Sequence, residues 1–513
     1  MIPSSPYGAP DTIFTGRRTQ IVVAVAVILF IALAMGSLLT KRPWSDEGWF
    51  ASAGFTLAEK GYMGTPVMDE SGTGLTGIQK RTYWVLPFYF LAQAAWYKVF
   101  GFHLFTMRIL SLLCGLVAVG CWHGILRRLA SPFVAVVGMA LIATDYYFVQ
   151  AGSFGRYDML CLTLGTTAVW VYLRWRETRL VESLFLAQCL LCAGGLTHFL
   201  GIMAFLWFWI LVLWKDRSRL RIQHLLLCAV PYLVGGALWY NYIRESPEDF
   251  RAQFITTATT AGRVSGVSDP WTAVSREFTE RYLIGFGLGP HSAAHSGPIW
   301  MKSFILLAWL IGVAASLLIP DLRSRSVVRA LLALAFIEFW TMTLLDGHKQ
   351  TWYLTYMTLP FAALLALVFE WFWNRFPQLR WLAALCFVGL IALQAGGAAL
   401  RMRINVYKNQ FVPASTYINQ HAKPEEMVMG SAELGFGIGF DRNLVDDILI
   451  GFKSRYRPEF IVQESNWQAL MEIFRTERPP VFAHMQRLFT QEYRLVYDEN
   501  GYKIWKRIHR SDP

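Results

Sequence analysis

Charge is scarce in this chain: Asp, Glu, Lys and Arg supply only 16% of its 513 residues, against 55% hydrophobic and 15% aromatic. So apolar a composition argues against a soluble protein of this size. A lysine-bearing phosphate loop of the Walker type is missing, as are a Gly-x-Gly-x-x-Gly after a strand and any soluble nucleotide-binding unit. These absences argue against a nucleotide-driven pump or enzyme. Internal repeats and low-complexity tracts are missing too. Cysteine is sparse: Cys114, Cys121, Cys161, Cys189, Cys192, Cys228 and Cys386 all fall within apolar runs, none at zinc-ligand spacing. No disulfide framework is expected, even where the chain faces an oxidising compartment.

What the chain has in abundance is long apolar runs. The first, 20–39, follows Arg17-Arg18 and lacks a small-residue cleavage site, so it reads as a retained signal anchor with a cytoplasmic N-terminus. Further runs cover 84–100, 105–126, 132–148, 157–174, 182–198, 200–214, 222–242, 299–319, 327–345, 352–372 and 379–400. Basic clusters at Arg17-Arg18, Arg127-Arg128, Arg174/Arg176/Arg179, Lys215/Arg217/Arg219/Arg221, Arg323/Arg325/Arg329 and Arg375/Arg380 fall at the N-terminus or in short links between runs. If all are cytoplasmic, each interval between them holds an even number of spans. The interval from 20 to 126 holds three runs. The aromatic-rich 84–100 run, with Gln93 and Lys98, is therefore expected to lie in the interface.

The expected fold class is a polytopic α-helical membrane protein of about 11–13 transmembrane helices, eleven by the charge rule, with interfacial helices in the first external loop. A small C-terminal α/β soluble domain follows, which divides the chain at 1–400 and 401–513. The net charge of +12 belongs mostly to the membrane part, since the tail holds 16 Lys+Arg against 14 Asp+Glu. That distribution is topological and gives no footprint for nucleic acid. The loop from 241 to 298 is expected to be external, polar and partly structured at best. In the tail, a helical stretch to His421 precedes β-rich runs at 427–429, 460–463 and 481–483 and a helix at 467–474. Runs 493–497 and 502–505 flank Asp498-Glu499-Asn500-Gly501 as a hairpin.

With this topology the outer helix ends present Asp46, Glu47, Lys80, Arg81, Arg108, Arg156, Asp158, His198, Asp346, His348 and Lys349. A carboxylate there is suited to take a proton from an attacking hydroxyl, and Arg or Lys to hold a departing phosphate. Each residue also has a plainer reading. Asp46-Glu47, within Trp44-Ser45-Asp46-Glu47-Gly48-Trp49, can cap the helix that follows. Arg108 and Lys98 can snorkel, and Arg156 and Asp158 can pair with each other. His291 and His295 have i, i+4 spacing but no acidic partner, which favours a structural or solvent role over metal binding. His198 reads as a cap or packing residue.

Taken together, four stretches resemble the GT-C superfamily glycosyltransferases of the protein O-mannosyltransferase and lipid A aminoarabinose-transferase type. They are Trp44-Ser45-Asp46-Glu47-Gly48; Leu86-Pro87-Phe88-Tyr89 through Phe100-Gly101 to Met107-Arg108; Gly155-Arg156-Tyr157-Asp158-Met159-Leu160; and His348-Lys349 to Tyr353 with Leu359-Pro360. The resemblance implies an inverting transfer of a sugar from a polyprenyl-phosphate donor to a lipid, glycan or protein acceptor. The setting it implies is a bacterial inner membrane, with active site and tail in the periplasm. It implies Asp46 and Glu47 as catalytic, with Lys80, Arg81, Arg108, Arg156 and Lys349 toward the donor phosphate and Asp158, His348 and Tyr353 in support. At Lys80 the usual following prolines are replaced by Arg81-Thr82. Some relatives bind a divalent metal nearby; the resemblance assigns no ligands for one here. The competing class is a transporter or lipid flippase, which would place ionisable residues at mid-bilayer; Glu338 is the main one so placed. A receptor or assembly factor acting through its tail would leave Asp46 dispensable.

Overall fold

The computed structural model describes residues 16–260, 262–289 and 299–509. Among these, eight helices are long and apolar enough to cross a membrane: Thr19–Thr40, Leu104–Leu129, Leu180–Thr197, Ile222–Ile243, Trp300–Leu318, Ser326–Leu345, Thr351–Arg375 and Pro377–His421. Three more expected runs are helical but shorter or more polar: Pro132–Thr144, Tyr157–Trp175 and Gly201–Asp216. The 84–100 run forms a helix only from Phe88 to Phe100. Its 13 residues reach about 20 Å, short of a hydrocarbon core of about 30 Å.

Local chemistry sets where the helices break. Ser131 accepts the Val134 N–H at 3.2 Å and Pro132 takes the first helical position, so Pro132–Thr144 starts cleanly. It stops at Asp145, whose carboxylate accepts the N–H groups of Tyr147 and Phe148 at 2.9 and 3.0 Å and opens the short helix Tyr146–Ala151. The expected single run over 132–148 is thus two helices. Residues 134–144 are buried on every side, which puts this helix at the centre of the bundle. Ile222–Ile243, with Leu226, Leu233 and Leu238 exposed, lies at the lipid-facing edge.

The described part of the 241–298 loop is more ordered than its polarity suggested. Glu277 and Arg281, one helical turn apart, are fully buried and ion-paired at 2.6 Å. Gln253 accepts the Tyr83 N–H and donates to the carbonyls of Thr76 and Arg81, stitching this loop to the first one. Glu277, Arg281 and Gln253 can be buried there because each finds such a partner. His291 and His295 lie outside the described residues.

In the tail a five-stranded sheet runs β2-β1-β3-β5-β4, with β1 (Val428–Gly430) parallel to β2 (Leu444–Val445) and to β3 (Phe460–Gln463). β4 (Tyr493–Glu499) and β5 (Tyr502–Arg507) form the antiparallel hairpin expected from Asn500-Gly501. Both turn residues have positive φ, 54° and 82°, as a type I′ turn requires. The 481–483 run is not a strand but part of the helix Pro479–Arg487. Pro479 fits the first helical turn, and Val481 and Met485 at i, i+4 share its buried face, a helical spacing that the adjacent β-formers Val481 and Phe482 concealed. All seven cysteines are free thiols.

The tail docks on the loop that follows the first helix. Asp446 accepts the Trp49 indole N–H at 2.8 Å and the Ala432 N–H at 2.9 Å through its side chain, and its backbone N–H donates to Val67 at 2.7 Å. Arg42 pairs with Glu464 at 2.8 Å. Gly48 makes the close approach possible, since a Cβ there would stand 2.3–2.6 Å from the backbone of Ala432 and Glu433. Gly48→Ala is therefore expected to loosen the tail, read as faster protease cleavage after residue 405 with the membrane part intact. Burial pushes the Asp446 carboxyl up to about 7, against the pull of Trp49 and Ala432 and with help from Asp447 and Glu464. The folded state then keeps a proton that the unfolded chain has released. Stability falls as pH rises from the ordinary carboxylate range, ~4, to about 7. Melting temperatures across that range should decline, and Asp446→Asn should flatten the slope.

Candidate active site

Glu47, Arg108 and Gly155 form the foundation of the site. Glu47 sits in the first turn of the helix Ser45–Lys60 and reaches back to the Trp44 N–H at 3.1 Å, half of a capping box. Its other acceptor positions take Arg108 Nε at 2.8 Å, Arg108 Nη2 at 2.7 Å and the Gly155 N–H at 2.7 Å. Arg108 completes its five donors with the carbonyls of Leu38, Lys41 and Arg42 at 2.7, 2.9 and 3.1 Å. Both side chains are 0% exposed. No donor of Arg108 remains for a phosphate and no oxygen of Glu47 for a substrate. This geometry suits a structural role better than the phosphate-binding and catalytic roles the resemblance implies: together Arg108 and Glu47 pin the first loop to the Gly155-Arg156 turn.

Asp46, the next residue along, projects elsewhere. It is not the helix cap, since Trp44 holds that position and Glu47 does the capping. Its Oδ2 accepts from Arg156 Nη1, its Oδ1 has no partner among the described residues, and its side chain is 18% exposed. Arg156 also donates through Nε to Asp158 at 2.8 Å. Its guanidinium lies over the rings of Trp44 and Trp352, at 5.1 and 4.9 Å from their centroids. With two carboxylates on one guanidinium, Arg156 brings no surplus positive charge to a phosphate; it orients Asp46. Asp158 is buried, and its Oδ1 has no hydrogen-bond partner among the described residues.

Behind these groups Tyr157 stacks on His198 at 4.4 Å, and Tyr353 bridges the Tyr157 hydroxyl (3.2 Å) and His198 Nε2 (3.4 Å). Burial first, then the fields of Arg156 and Arg263, push His198 well below the usual imidazole range, so the ring is neutral. His198 caps its helix and packs, as expected, but it packs against the site.

The remaining basic residues divide. Lys349 is buried, held at φ 53°, donates to the Thr343 carbonyl at 2.7 Å and pairs with Glu277 at 3.1 Å. Burial lowers its pKa while Glu277 opposes the shift. Its ammonium is thus engaged by Glu277 and the Thr343 carbonyl and not turned to Lys80 or Arg81. His348 is exposed beside it. Lys80 is exposed and unpaired among the described residues, and Arg81 holds only the exposed Glu245, at 3.1 Å. Both stand in an apolar groove of about 890 Å³, lined by Met63, Phe88, Leu91, Leu196, Leu238 and Trp239 among others. Arg263 escaped the sequence reading: its Nε is buried without a hydrogen-bond partner, and its charge acts on Tyr157, His198 and His348. The visible signal was slight, an Arg between Gly262 and Gly266 in a polar loop. Among the described residues no group of three His, Cys, Asp or Glu is placed to hold a metal ion.

Among the described residues the charged groups of the site thus gather at helix ends, with buried Glu338 a mid-helix exception, an arrangement that does not favour a transporter. The fold is that of the GT-C membrane glycosyltransferases. It is similar over 98% of this chain and 99% of the other to ArnT from Cupriavidus metallidurans bound to undecaprenyl phosphate, with a TM-score of 0.61 and 14% identity. The Archaeoglobus fulgidus oligosaccharyltransferase in complex with Zn and sulfate matches over 95% of this chain and 73% of that one, with a TM-score of 0.58 and 12% identity. The same organism's AglB in complex with an inhibitory peptide and a dolichol-phosphate matches over 98% and 75%, with a TM-score of 0.52 and 14% identity. A family described as dolichyl-phosphate-mannose-protein mannosyltransferase matches residues 85–240. No curated protein matches by sequence. The family match and the shared fold together indicate a glycosyltransferase.

Proposed function

We propose that this chain transfers a sugar from a polyprenyl-phosphate donor to an acceptor hydroxyl at the outer face of the bacterial inner membrane, with its tail in the periplasm. The observation that carries this reading is a half-open carboxylate, Asp46, on a protein whose apolar groove opens beside the cations Lys80 and Arg81. The groove takes the prenyl chain. Lys80 and Arg263, each without an ion-pair partner among the described residues, take the phosphate, and Arg81 joins because an exposed pair such as Arg81–Glu245 is worth at most about 1 kcal/mol. Asp46 accepts the acceptor's proton as its oxygen attacks the anomeric carbon. The bond from that carbon to the phosphate oxygen breaks, and the polyprenyl phosphate leaves with the electron pair. One displacement inverts the anomeric configuration. The free Oδ1 of Asp158 is available to a sugar hydroxyl, which would fix the ring while charge develops. A phosphate leaving group needs charge stabilisation more than protonation, so one base and a few cations suffice.

Lys80→Gln should raise the KM for donor on the order of tenfold, as loss of a charge-assisted phosphate contact does, and leave the melting temperature unchanged because the side chain is exposed. An unaltered KM would remove Lys80 from the donor site. For the topology, reporters fused near residue 405 and at the Arg127-Arg128 link should report opposite compartments; the same compartment for both would overturn the outward-facing site.

A further inference from the structure

The groove described above leaves a second cluster of cations unused, at the ends of the helices Arg17–Thr40, Ser303–Leu318 and Arg380–Ile404. Lys302 Nζ lies 3.8 Å from the centroid of the Tyr146 ring, and the Arg401 guanidinium carbon lies 5.1 Å from it, with Arg401 Nη1 donating to the Tyr146 oxygen. Lys41 joins them from the end of the first helix, its Nζ 4.8 Å from the Phe154 centroid and 3.5 Å from Ser153 Oγ. Burial, then Arg401 and Arg108, lower the Lys41 pKa to about 7; Glu47 opposes and Lys302 adds to the shift. Two carboxylates lie within reach, and both are engaged elsewhere. Glu47 is held by Arg108, and Asp145 accepts two backbone N–H groups and the Thr358 hydroxyl. Among the described residues none of the three cations has an ion pair, and the sequence from 290 to 298 contains no Asp or Glu.

Three basic groups gathered without a counter-ion oppose one another's protonation, and an anionic headgroup at a membrane surface is what stabilises their charged forms. Next to Lys302 a second apolar groove of about 770 Å³ begins at Met301 and Phe304 and continues along Phe369, Phe372, Cys386 and Leu390. We propose that Lys41, Lys302 and Arg401 with this groove form a binding site for an anionic phospholipid, separate from the donor groove. The phosphate sits among the cations and an acyl chain fills the groove. The lipid neutralises the cluster and packs between helices that otherwise leave Leu307, Leu382 and Leu385 exposed along this seam.

Native mass spectrometry of the full-length protein, released from nanodiscs containing phosphatidylglycerol or phosphatidylcholine, tests this directly. The wild type should retain phosphatidylglycerol and not phosphatidylcholine. Lys302→Gln with Arg401→Gln should lower retention on the order of tenfold, since each cation near an anionic headgroup contributes independently. Gly389→Phe should lower it too: a Cβ at Gly389 meets nothing within 4 Å, so the new ring enters the groove without clash. Lys80→Gln, in the other groove, should retain the lipid. Equal retention of both lipids by the wild type, or undiminished retention in the double Gln variant, would overturn the site. Loss in Lys80→Gln alone would place the bound lipid in the donor groove and overturn it equally.

Discussion

Asp46→Asn is expected to leave the protein folded and able to bind donor, while sugar transfer falls on the order of 10²- to 10⁴-fold, the usual range for loss of a general base. Asn keeps the size of the side chain and an oxygen for Arg156 Nη1, so the contact that orients residue 46 survives. Helix capping is untouched, because Glu47 performs it. What disappears is the charge and basicity at the one carboxylate of the Asp46, Glu47 and Asp158 set with marked exposure, 18% against 0% and 4%. Single-turnover transfer with purified variants, matched for melting temperature, checks it. Arg156→Lys should give an intermediate loss, since an ammonium cannot span Asp46 and Asp158 in the fixed geometry of a guanidinium.

The neighbouring substitution has a different signature. Glu47→Gln leaves the buried Arg108 charge without its carboxylate, and breaking such a pair costs about 3–5 kcal/mol. A drop in melting temperature and loss of folded yield should precede any kinetic effect. Arg108→Met should do the same, and the two changes together should cost less than their sum because they remove one shared interaction. Two adjacent acidic residues thus separate cleanly: residue 46 through rate, residue 47 through stability.

That separation marks where the sequence stops being legible. Apolar runs and basic links located the membrane helices because the bilayer imposes length and charge sidedness on each segment alone. Asn500-Gly501 located the hairpin because a type I′ turn demands positive φ at both positions. Asp46 stood out as an acidic residue at a membrane surface, but its difference from Glu47 is set by partners distant along the chain, Arg108 and Gly155 for one and Arg156 for the other. The same holds for Lys349, which looked like a free cation until Glu277 folded onto it from a loop whose polarity suggested little order. Arg263 left almost no trace, because an unpaired guanidinium is defined by what fails to approach it. The tail's grip on the first loop was equally hidden, although Gly48, in the middle of the acidic motif, is where it is felt.

Donor turnover shows most directly whether this chain is a lipid-phosphate sugar transferase centred on Asp46. Purified protein in nanodiscs would be incubated with radiolabelled polyprenyl-phosphate hexoses and pentoses and a membrane extract as acceptor, and release of polyprenyl phosphate would be followed by chromatography. The wild type should release polyprenyl phosphate from at least one donor, with the sugar recovered on the acceptor, and Asp46→Asn almost none. No release from any donor, or equal release by the two proteins, would contradict that assignment.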